Sequence, residues 1–420
     1  MSWRETTLGE ITDLKRGFDL PKSQRLQGDV PVYSSSGITG SNSTAAVEGP
    51  CVITGRYGTI GEVFFSGGPC WPLNTALYST EFNGNNPRFV YYLLQTIPWQ
   101  GYTTASAVPG VNRNHVNLCP VKIPDRATQD AIVEVLDSIV DKIALNNRLN
   151  DYLEQCLLAR YDHLFRGAGT YNGTISDIGD VVGGATPSKK RPEYYCHEGI
   201  GWITPKDLSN TTNKFVAHGA DDITRVGFDS CSIKKLPAGT VLFSSRAPIG
   251  YIAIASDEVT TNQGFKSIVP HKEIGTAFVY CFLARNKDRI ADAGSGTTFP
   301  EVSGKTMAGI ELTLPNINLC AKFEEWASPL LEEQRHLEDE NRQLEDLRDT
   351  LLPKLMSGEI DVSKVDLTQL TNNHLSGCGS FCSVCCPSGL ASEFHEWFRE
   401  HFFFGYGHLC KADLGWEDLP

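Results

Sequence analysis

The second half of this 420-residue chain repeats the first. Thr7-Leu8-Gly9-Glu10-Ile11-Thr12-Asp13 answers to Thr174-Ile175-Ser176-Asp177-Ile178-Gly179-Asp180. Val52-Ile53 with Ile60-Gly61 answers to Val241-Leu242 with Ile249-Gly250, and Asn74 to Asn262. Phe89-Val90-Tyr91-Tyr92-Leu93-Leu94 answers to Phe278-Val279-Tyr280-Cys281-Phe282-Leu283, and Pro109-Gly110-Val111 to Pro300-Glu301-Val302. Val121-Lys122-Ile123-Pro124 answers to Leu312-Thr313-Leu314-Pro315. The offset starts at 167 and ends at 191, rising in order, so the matches are collinear and the second half carries about 22 extra residues early on. Collinear self-similarity marks a duplicated unit.

Each unit opens as mixed α/β. Apolar runs bounded by Gly, Pro, Ser and Asn read as strands at Pro50 to Thr54, Glu62 to Phe65, Thr240 to Phe243 and Tyr251 to Ile254. The two Phe-Val-Tyr segments read as short buried helices. After Pro124 and after Pro315 the pattern becomes that of long helices. Ile132, Leu136, Ile139 and Ile143 alternate spacings of four and three, and Leu153 and Leu157 resume that register. Leu330, Leu337, Leu344 and Leu351 recur every seven residues. Such spacing is a coiled-coil seam. Polar residues interrupt it at Asn146, Asn150, Gln334, Asn341 and Arg348, which weakens a coil but fixes its register. Nearly 40 residues of helix reach about 55–60 Å at 1.5 Å per residue, more than the width of a domain of this size. The helices therefore read as spacers, the alternative being packing each on its own domain.

The expected architecture is α+β: two tandem mixed α/β domains, each followed by a long helix, with the helices antiparallel and related by a pseudo-two-fold. The expected boundaries are 1–125 and 167–316 for the domains, 126–166 and 317–360 for the helices, and 361–420 for a Cys-rich tail.

The net charge of −13 argues at first against a nucleic-acid partner. Its distribution alters that: residues 1–125 and 173–316 each balance to zero, and the acidity lies on the helices and the tail. The globular parts can therefore each carry a basic face. Eight of thirteen cysteines are scattered singly from Cys51 to Cys320, which suits reduced buried thiols rather than a disulfide framework. No run of 18 apolar residues and no signal-peptide core is present, so a cytoplasmic protein without a membrane segment is expected.

Catalytic motifs are missing. There is no Asn- or Asp-Pro-Pro-aromatic segment of a methyltransferase and no Gly-x-x-x-x-Gly-Lys-Ser/Thr phosphate loop. Gly167, Gly169 and Gly173 lack dinucleotide-loop spacing, and no acid-x-Lys follows Asp125 within thirty residues as a nuclease would require. No Gly-x-Ser-x-Gly elbow and no His-Glu-x-x-His occur. The expectation is a chain with no catalytic residues and no metal of its own.

Three segments carry a family resemblance in the globular parts: Val32-Tyr33-Ser34-Ser35-Ser36-Gly37-Ile38, Gly55-Arg56-Tyr57-Gly58-Thr59-Ile60-Gly61 and Ser245-Arg246-Ala247-Pro248-Ile249-Gly250. A fourth is Glu340-Asn341-Arg342-Gln343-Leu344, followed by Leu347-Arg348-Asp349-Thr350-Leu351-Leu352-Pro353-Lys354-Leu355-Met356-Ser357-Gly358. Together these resemble the specificity subunit of type I restriction–modification systems, over about residues 3–365. The resemblance implies that each domain reads one half of a split double-stranded DNA target. It implies that the helices dock two methyltransferase (modification) subunits and set the gap, with restriction/translocase subunits joining to give the cleaving complex. S-adenosylmethionine, ATP and Mg would then belong to partner chains, and this chain would hold no cofactor. A coiled-coil scaffold whose domains bind protein, and a restriction or modification enzyme with its own activity, stay open as alternatives.

Given DNA as partner, Arg56 and Arg246 flank the Ile-Gly turns and can approach phosphate or a guanine edge, unless each is tied in an internal salt bridge. Lys189-Lys190-Arg191 is the densest basic run of either domain and reads as a loop in the second half's insertion; Lys206 is a similar phosphate contact. Asn74, Asn262 and Gln263 have side chains that pair with adenine, although such residues also cap turns. Arg113 and Lys305 follow the Pro-x-Val matches and face phosphates, and Tyr57 either stacks or packs.

From about Thr371 the resemblance ends. Cys382-x-x-Cys385 is a zinc half-site in spacing, but His395 to His401 is one residue too long to complete it. The tail is read as an appended segment without a metal, with zinc binding at this half-site as the alternative.

Overall fold

The computed structural model describes residues 3–103, 110–165, 171–246, 248–295 and 300–365. The Cys382–Cys385 half-site and the tail histidines lie outside the described residues. The described residues form two compact units: those before 141 together with Leu347 to Val365, and those within 141–346.

The first unit runs β1 (Trp3–Thr7), α1 (Leu8–Ile11), β2 (Lys15–Arg16), β3 (Val30–Ser34), β4 (Gly37–Asn42), β5 (Cys51–Gly55), β6 (Val63–Ser66), β7 (Trp71–Pro72) and β8 (Ala76–Ser79). It continues through α2 (Pro87–Gln95), α3 (Arg113–Val116), β9 (Pro120–Pro124) and the start of α4 (Arg126–Phe165). Strands β2, β8, β5 and β6 form one sheet in that order, and β4, β3 and β7 a second. β1 pairs antiparallel with β9, Trp3 opposite Pro124, so the domain's first strand lies beside the entry to its long helix. α2 begins where the sequence offers Asn86-Pro87. The Asn86 side chain accepts from the main-chain N of Arg88 and Phe89, and Pro87 takes a position whose missing N–H costs nothing. A cap of this kind is worth about 1 kcal/mol.

The second unit contains β10 (Tyr171–Thr174), β11 (Gly179–Gly183), β12 (Tyr195–Cys196), β13 (Trp202–Ile203), α5 (Pro205–Ser209), β14 (Phe215–Val216), β15 (Asp222–Ile223) and α6 (Arg225–Asp229). It continues with β16 (Val241–Ser245), β17 (Ile249–Ala255), β18 (Thr260–Thr261), β19 (Lys266–Pro270), α7 (Thr276–Asp292), α8 (Gly304–Ala308), β20 (Glu311–Leu314) and most of α9 (Ile317–Ser357). A five-stranded sheet has the order β11-β19-β16-β17-β14. β10 pairs with β20, Tyr171 opposite Leu314, as β1 pairs with β9.

The four strands expected from sequence are present as β5, β6, β16 and β17, with ends shifted by up to two residues. α7 is 17 residues and longer than the short helix expected. Its second half is held by Ile290, which is fully buried, and by Arg285, whose Nη2 donates to Asp162 on α4 at 2.7 Å.

The repeat can be placed by hydrogen bonding. β3 runs parallel to β7 with Tyr33 opposite Pro72, and β13 runs parallel to β18 with Ile203 opposite Thr261. Tyr33 therefore matches Ile203, an offset of 170, while Val52 and Val241 differ by 189. Most of the extra length thus falls between Ile203 and Val241, where α5, β14, β15 and α6 lie. Lys189-Lys190-Arg191 precedes it, so the expectation that this run sits in the insertion is corrected.

Each unit has its own core. In the first, Phe89, Tyr92 and Leu94 of α2 pack with Ile132 and Leu136 of α4 and with Leu352, Leu355 and Met356 of α9. In the second, Phe278, Val279 and Leu283 of α7 pack with Leu157 and Tyr161 of α4 and with Phe323 and Ala327 of α9. Leu153 of α4 meets Leu330 and Leu337 of α9 in a cluster of its own. Ile139 and Leu344 are likewise buried, Leu351 is partly buried against the first core, and Ile143 is half-exposed. The seam side chains are thus largely taken up inside the chain, and Leu145, Tyr152, Ile317 and Leu347 are the large apolar residues that the helices leave exposed.

Candidate nucleic-acid interface

In the first unit, five of the residues that line a groove of about 760 Å³ are Lys15, Arg16, Arg56, Tyr57 and Arg113. Three of these were expected from sequence. Arg56 follows β5, and its backbone is fixed at both ends: its N donates to Thr75 O at 2.9 Å and its carbonyl accepts from Val111 N at 2.9 Å. The guanidinium lies over the Tyr57 ring, 4.6 Å from its centroid. Tyr57 forms a β-bridge to Gly110, where a Cβ would stand 2.3 Å from the Tyr57 Cε1. Glycine at 110 is what lets the ring lie against the backbone. The packing of Tyr57 is therefore local, and 39% of the residue stays exposed.

Arg113 is the first residue of α3, capped by Asn112, and its Nη1 donates to Leu14 O at 3.4 Å. Lys15 and Arg16 were not singled out from sequence. Lys15 is paired with Glu81, whose hydrogen bond raises the ammonium above its ordinary range, and Arg16 lies 3.9 Å from Asp19. Among the described residues no carboxylate lies within ion-pair distance of Arg56 or Arg113. An exposed pair such as Arg16–Asp19 contributes little to stability. Asn74 donates from its Nδ2 to Asp19 Oδ1, so one donor of the side chain is already in use.

The second unit builds the corresponding place differently. Ser245 N donates to Gly264 O at 2.7 Å, as Arg56 N does to Thr75 O, and Val302 N donates to Ser245 O as Val111 N does to Arg56 O. Arg246 bridges Glu301 as Tyr57 bridges Gly110. By backbone position Arg246 therefore corresponds to Tyr57, and Ser245 to Arg56. The same register matches Asn74 to Gln263: Asn262 N donates to Ile203 O as Leu73 N does to Tyr33 O. The sequence pairing of Asn74 with Asn262 is off by one residue. Asn262 uses its Oδ1 to accept from Gly264 N at 2.7 Å and so shapes the turn, while Gln263 Oε1 accepts from Thr186 Oγ1.

Arg246 stands 3.7 Å from Glu301, and Lys266 Nζ lies 3.4 Å from the other carboxylate oxygen of Glu301 and 3.4 Å from Ser245 Oγ. Sequence reasoning missed Lys266 and gave Glu301 no role. Gly183 of β11 faces Lys266 across the sheet, and the matching rung of the first unit is Arg16 opposite Leu77. Each unit thus has one cation at this rung, carried by opposite strands.

Lys305, exposed on α8, follows Gly304, whose Cβ would lie 3.9 Å from the Lys266 side chain. Lys206 is exposed in the first turn of α5, where Pro205 abuts Gly264. Lys189 and Lys190 are exposed on a turn after β11, and Arg191 pairs with Glu193 at 3.2 Å. Among the described residues no group of three or more His, Cys, Asp or Glu could hold a metal ion, and no helix is long and apolar enough to cross a membrane.

The architecture is that of tandem mixed α/β domains with long helices, and comparison with known proteins gives its class. The family model described as "Type I restriction modification DNA specificity domain" matches residues 1–155 and again 170–319. The chain belongs to this family of type I restriction–modification specificity proteins. It is 43% identical over 145 residues to the Methanocaldococcus jannaschii type I restriction enzyme MjaIX specificity subunit, a match covering 34% of this chain and 33% of that one. It is 23% identical over 462 aligned positions to the Haemophilus influenzae HindI specificity subunit, covering 85% of this chain and 99% of that one. The solved S subunit of a type I system from M. genitalium shares the fold, with a TM-score of 0.58 at 16% identity over 84% of this chain and 96% of that one.

Proposed function

We propose that this chain is the non-catalytic DNA reader of a cytoplasmic type I restriction–modification assembly, its two recognition domains (residues 1–125 and 167–316) each contacting one half of a split double-stranded target. The observation that carries this reading is the recurrence, on one backbone scaffold, of a cation-bearing strand rung next to a bridged turn: Arg16 with Arg56–Tyr57 in one unit, Lys266 with Ser245–Arg246 in the other. Cations on a fixed loop hold phosphate, and the neighbouring donors reach base edges. Lys189, Lys190, Arg191, Lys206, Arg113 and Lys305 extend the phosphate contacts, and Asn74, Asn262 and Gln263 stand at the turn between.

The helices α4 and α9 act as an antiparallel, pseudo-two-fold coiled-coil spacer. Asn146 meets Asn341, Asn150 meets Gln334 and Leu153 meets Leu330, so that one number rises as the other falls. Their outer faces dock two methyltransferase subunits, with restriction/translocase subunits joining the same complex. Methyl transfer from S-adenosylmethionine, and any ATP- and Mg-dependent step, belong to those partners.

The test is co-expression with an adenine methyltransferase of a type I system, followed by mapping of methylated adenines in host DNA. A split motif that appears only when this chain is present supports the reading. A soluble complex with no dependence of methylation on this chain overturns it in favour of a protein-binding scaffold.

A further inference from the structure

The two units carry different side chains at one place where their backbone hydrogen bonds match. At the bridge between the turn after the central strand and the segment before the short helix, the first unit carries Tyr57 and Gly110 and the second carries Arg246 and Glu301. Glu301 is the anomaly. It places a carboxylate, 41% exposed, on the face where the proposed function puts DNA, and anionic groups there repel phosphate. Its two oxygens lie 3.7 Å from Arg246 and 3.4 Å from Lys266, so it is held by a cation on each side. Lys266 is mostly buried (14% exposed) and Arg246 is open (37%), which leaves the arginine and the carboxylate as the exposed pair.

We infer that Arg246 and Glu301 together form a specificity-determining pair that reads one G·C base pair in the half-site of the second domain; this rests on the DNA-reading function proposed above. The chemistry is complementary. In the major groove guanine offers two acceptors, O6 and N7, and its cytosine partner offers one donor, the N4 amino group. Arg246 supplies donors only and Glu301 acceptors only. An A·T pair in the same orientation would set the adenine amino donor against Arg246 and the thymine O4 against Glu301, and a carboxylate facing an acceptor is repelled; in the reverse orientation thymine offers Arg246 a single acceptor, O4, with a methyl group where guanine has its second. Lys266 holds Glu301 in place. The first unit has Tyr57 and Gly110 here, with neither a guanidinium nor a carboxylate, so its half-site carries no such signature there.

The experiment uses the full chain assembled with its methyltransferase subunits and a randomised duplex library, with bound sequences read out position by position. The wild-type complex is expected to enrich a split motif with a G·C pair in one half. Glu301→Gln is expected to relax preference at that pair by about tenfold or more, and to leave the other half unchanged. It should also strengthen binding to unrelated DNA, steepening the salt dependence by up to about 0.9 in slope. Arg246→Lys keeps the charge and loses the forked geometry, so it should relax the same pair without altering the slope. A split wild-type motif that Glu301→Gln leaves unaltered, in a variant with wild-type thermal unfolding, overturns the pair as a reader. The same holds for a change spread evenly over both halves. Failure of the wild-type complex to enrich any motif instead overturns the DNA-reading function itself.

Discussion

Asn146 and Asn341 share a 2.9 Å hydrogen bond between two buried side chains on α4 and α9. Asn341 also donates to Asn147 at 2.8 Å, and Gln334 donates to the main-chain carbonyl of Asn150 at 3.1 Å. A polar stretch in an otherwise leucine seam fixes which residues meet, because sliding the helices by one turn would bury the amides against leucine. Asn146→Leu is therefore expected to destabilise by about 1–3 kcal/mol, since it strands a partner that is buried. The double variant Asn146→Leu with Asn341→Leu should lose less than the single. Urea unfolding midpoints of the three proteins decide this, and a double variant weaker than the single would contradict it.

Lys214 binds the second domain to the helices within the same unit. Its Nζ donates to Gln334 at 2.6 Å and to Glu154, and stands 4.5 Å from the Tyr280 ring centroid. The main-chain N of Lys214 and of Phe215 donate to the two oxygens of Glu338 at 2.7 and 3.0 Å. Lys214→Met keeps the stem and removes the charge, leaving Glu154 without its cation. Because Glu154 keeps some access to water (27% exposed), the loss should fall at the lower end for a broken buried pair, about 3 kcal/mol. Thermal unfolding followed by tryptophan fluorescence would show it.

Glu324 gives a pH dependence with a definite sign. Its Oε2 accepts from Ala277 N at 2.9 Å at the start of α7, and Gly275, at φ +85°, leaves the room it needs. Burial raises its carboxyl above the ordinary 4.5, with the hydrogen bonds from Ala277 and Thr276 opposing in part. A raised folded value means that the folded protein holds a proton that the unfolded chain releases. This contribution to stability is whole below the unfolded value and is lost as pH rises through the folded value. Glu324→Gln should flatten the fall in stability just above pH 4.5, and denaturation curves at several pH values would measure it. An unchanged slope would remove Glu324 as its source.

The basic groove predicts a division between affinity and sequence preference. Arg16→Ala and Arg113→Ala should each weaken binding to all DNA alike and reduce the salt slope by about 1. Arg56→Ala should cost about 1–3 kcal/mol and act on the first half-site alone. Fluorescence anisotropy with duplexes altered in either half separates the two effects. Equal loss on both halves for Arg56→Ala would make it a phosphate contact.

Much of this protein is local in origin and was therefore legible in the chain. The duplication, the strands around Val52 and Val241 and the long helices after Pro124 and Pro315 follow from residue spacing, because strand and helix periods are properties of neighbouring residues. Arg56, Tyr57 and Arg113 could be nominated because each flanks a glycine turn or a repeated motif, and they line one groove. The register of the repeat was not legible: Asn74 resembles Asn262 by residue type, while the hydrogen bonds match it to Gln263. Nor could sequence find that Arg16 and Lys266 occupy one rung from opposite strands, since neither has a like residue at its repeat position. What sits across a strand or beside a turn depends on pairing between segments far apart in the chain, and a carboxylate between two cations, such as Glu301 between Arg246 and Lys266, exists only once that pairing is made. The sequence alone determined a twofold repeat, its helices and its absence of catalytic motifs. Tertiary pairing decided which charges meet, because electrostatic contact depends on distance in space and not on separation along the chain.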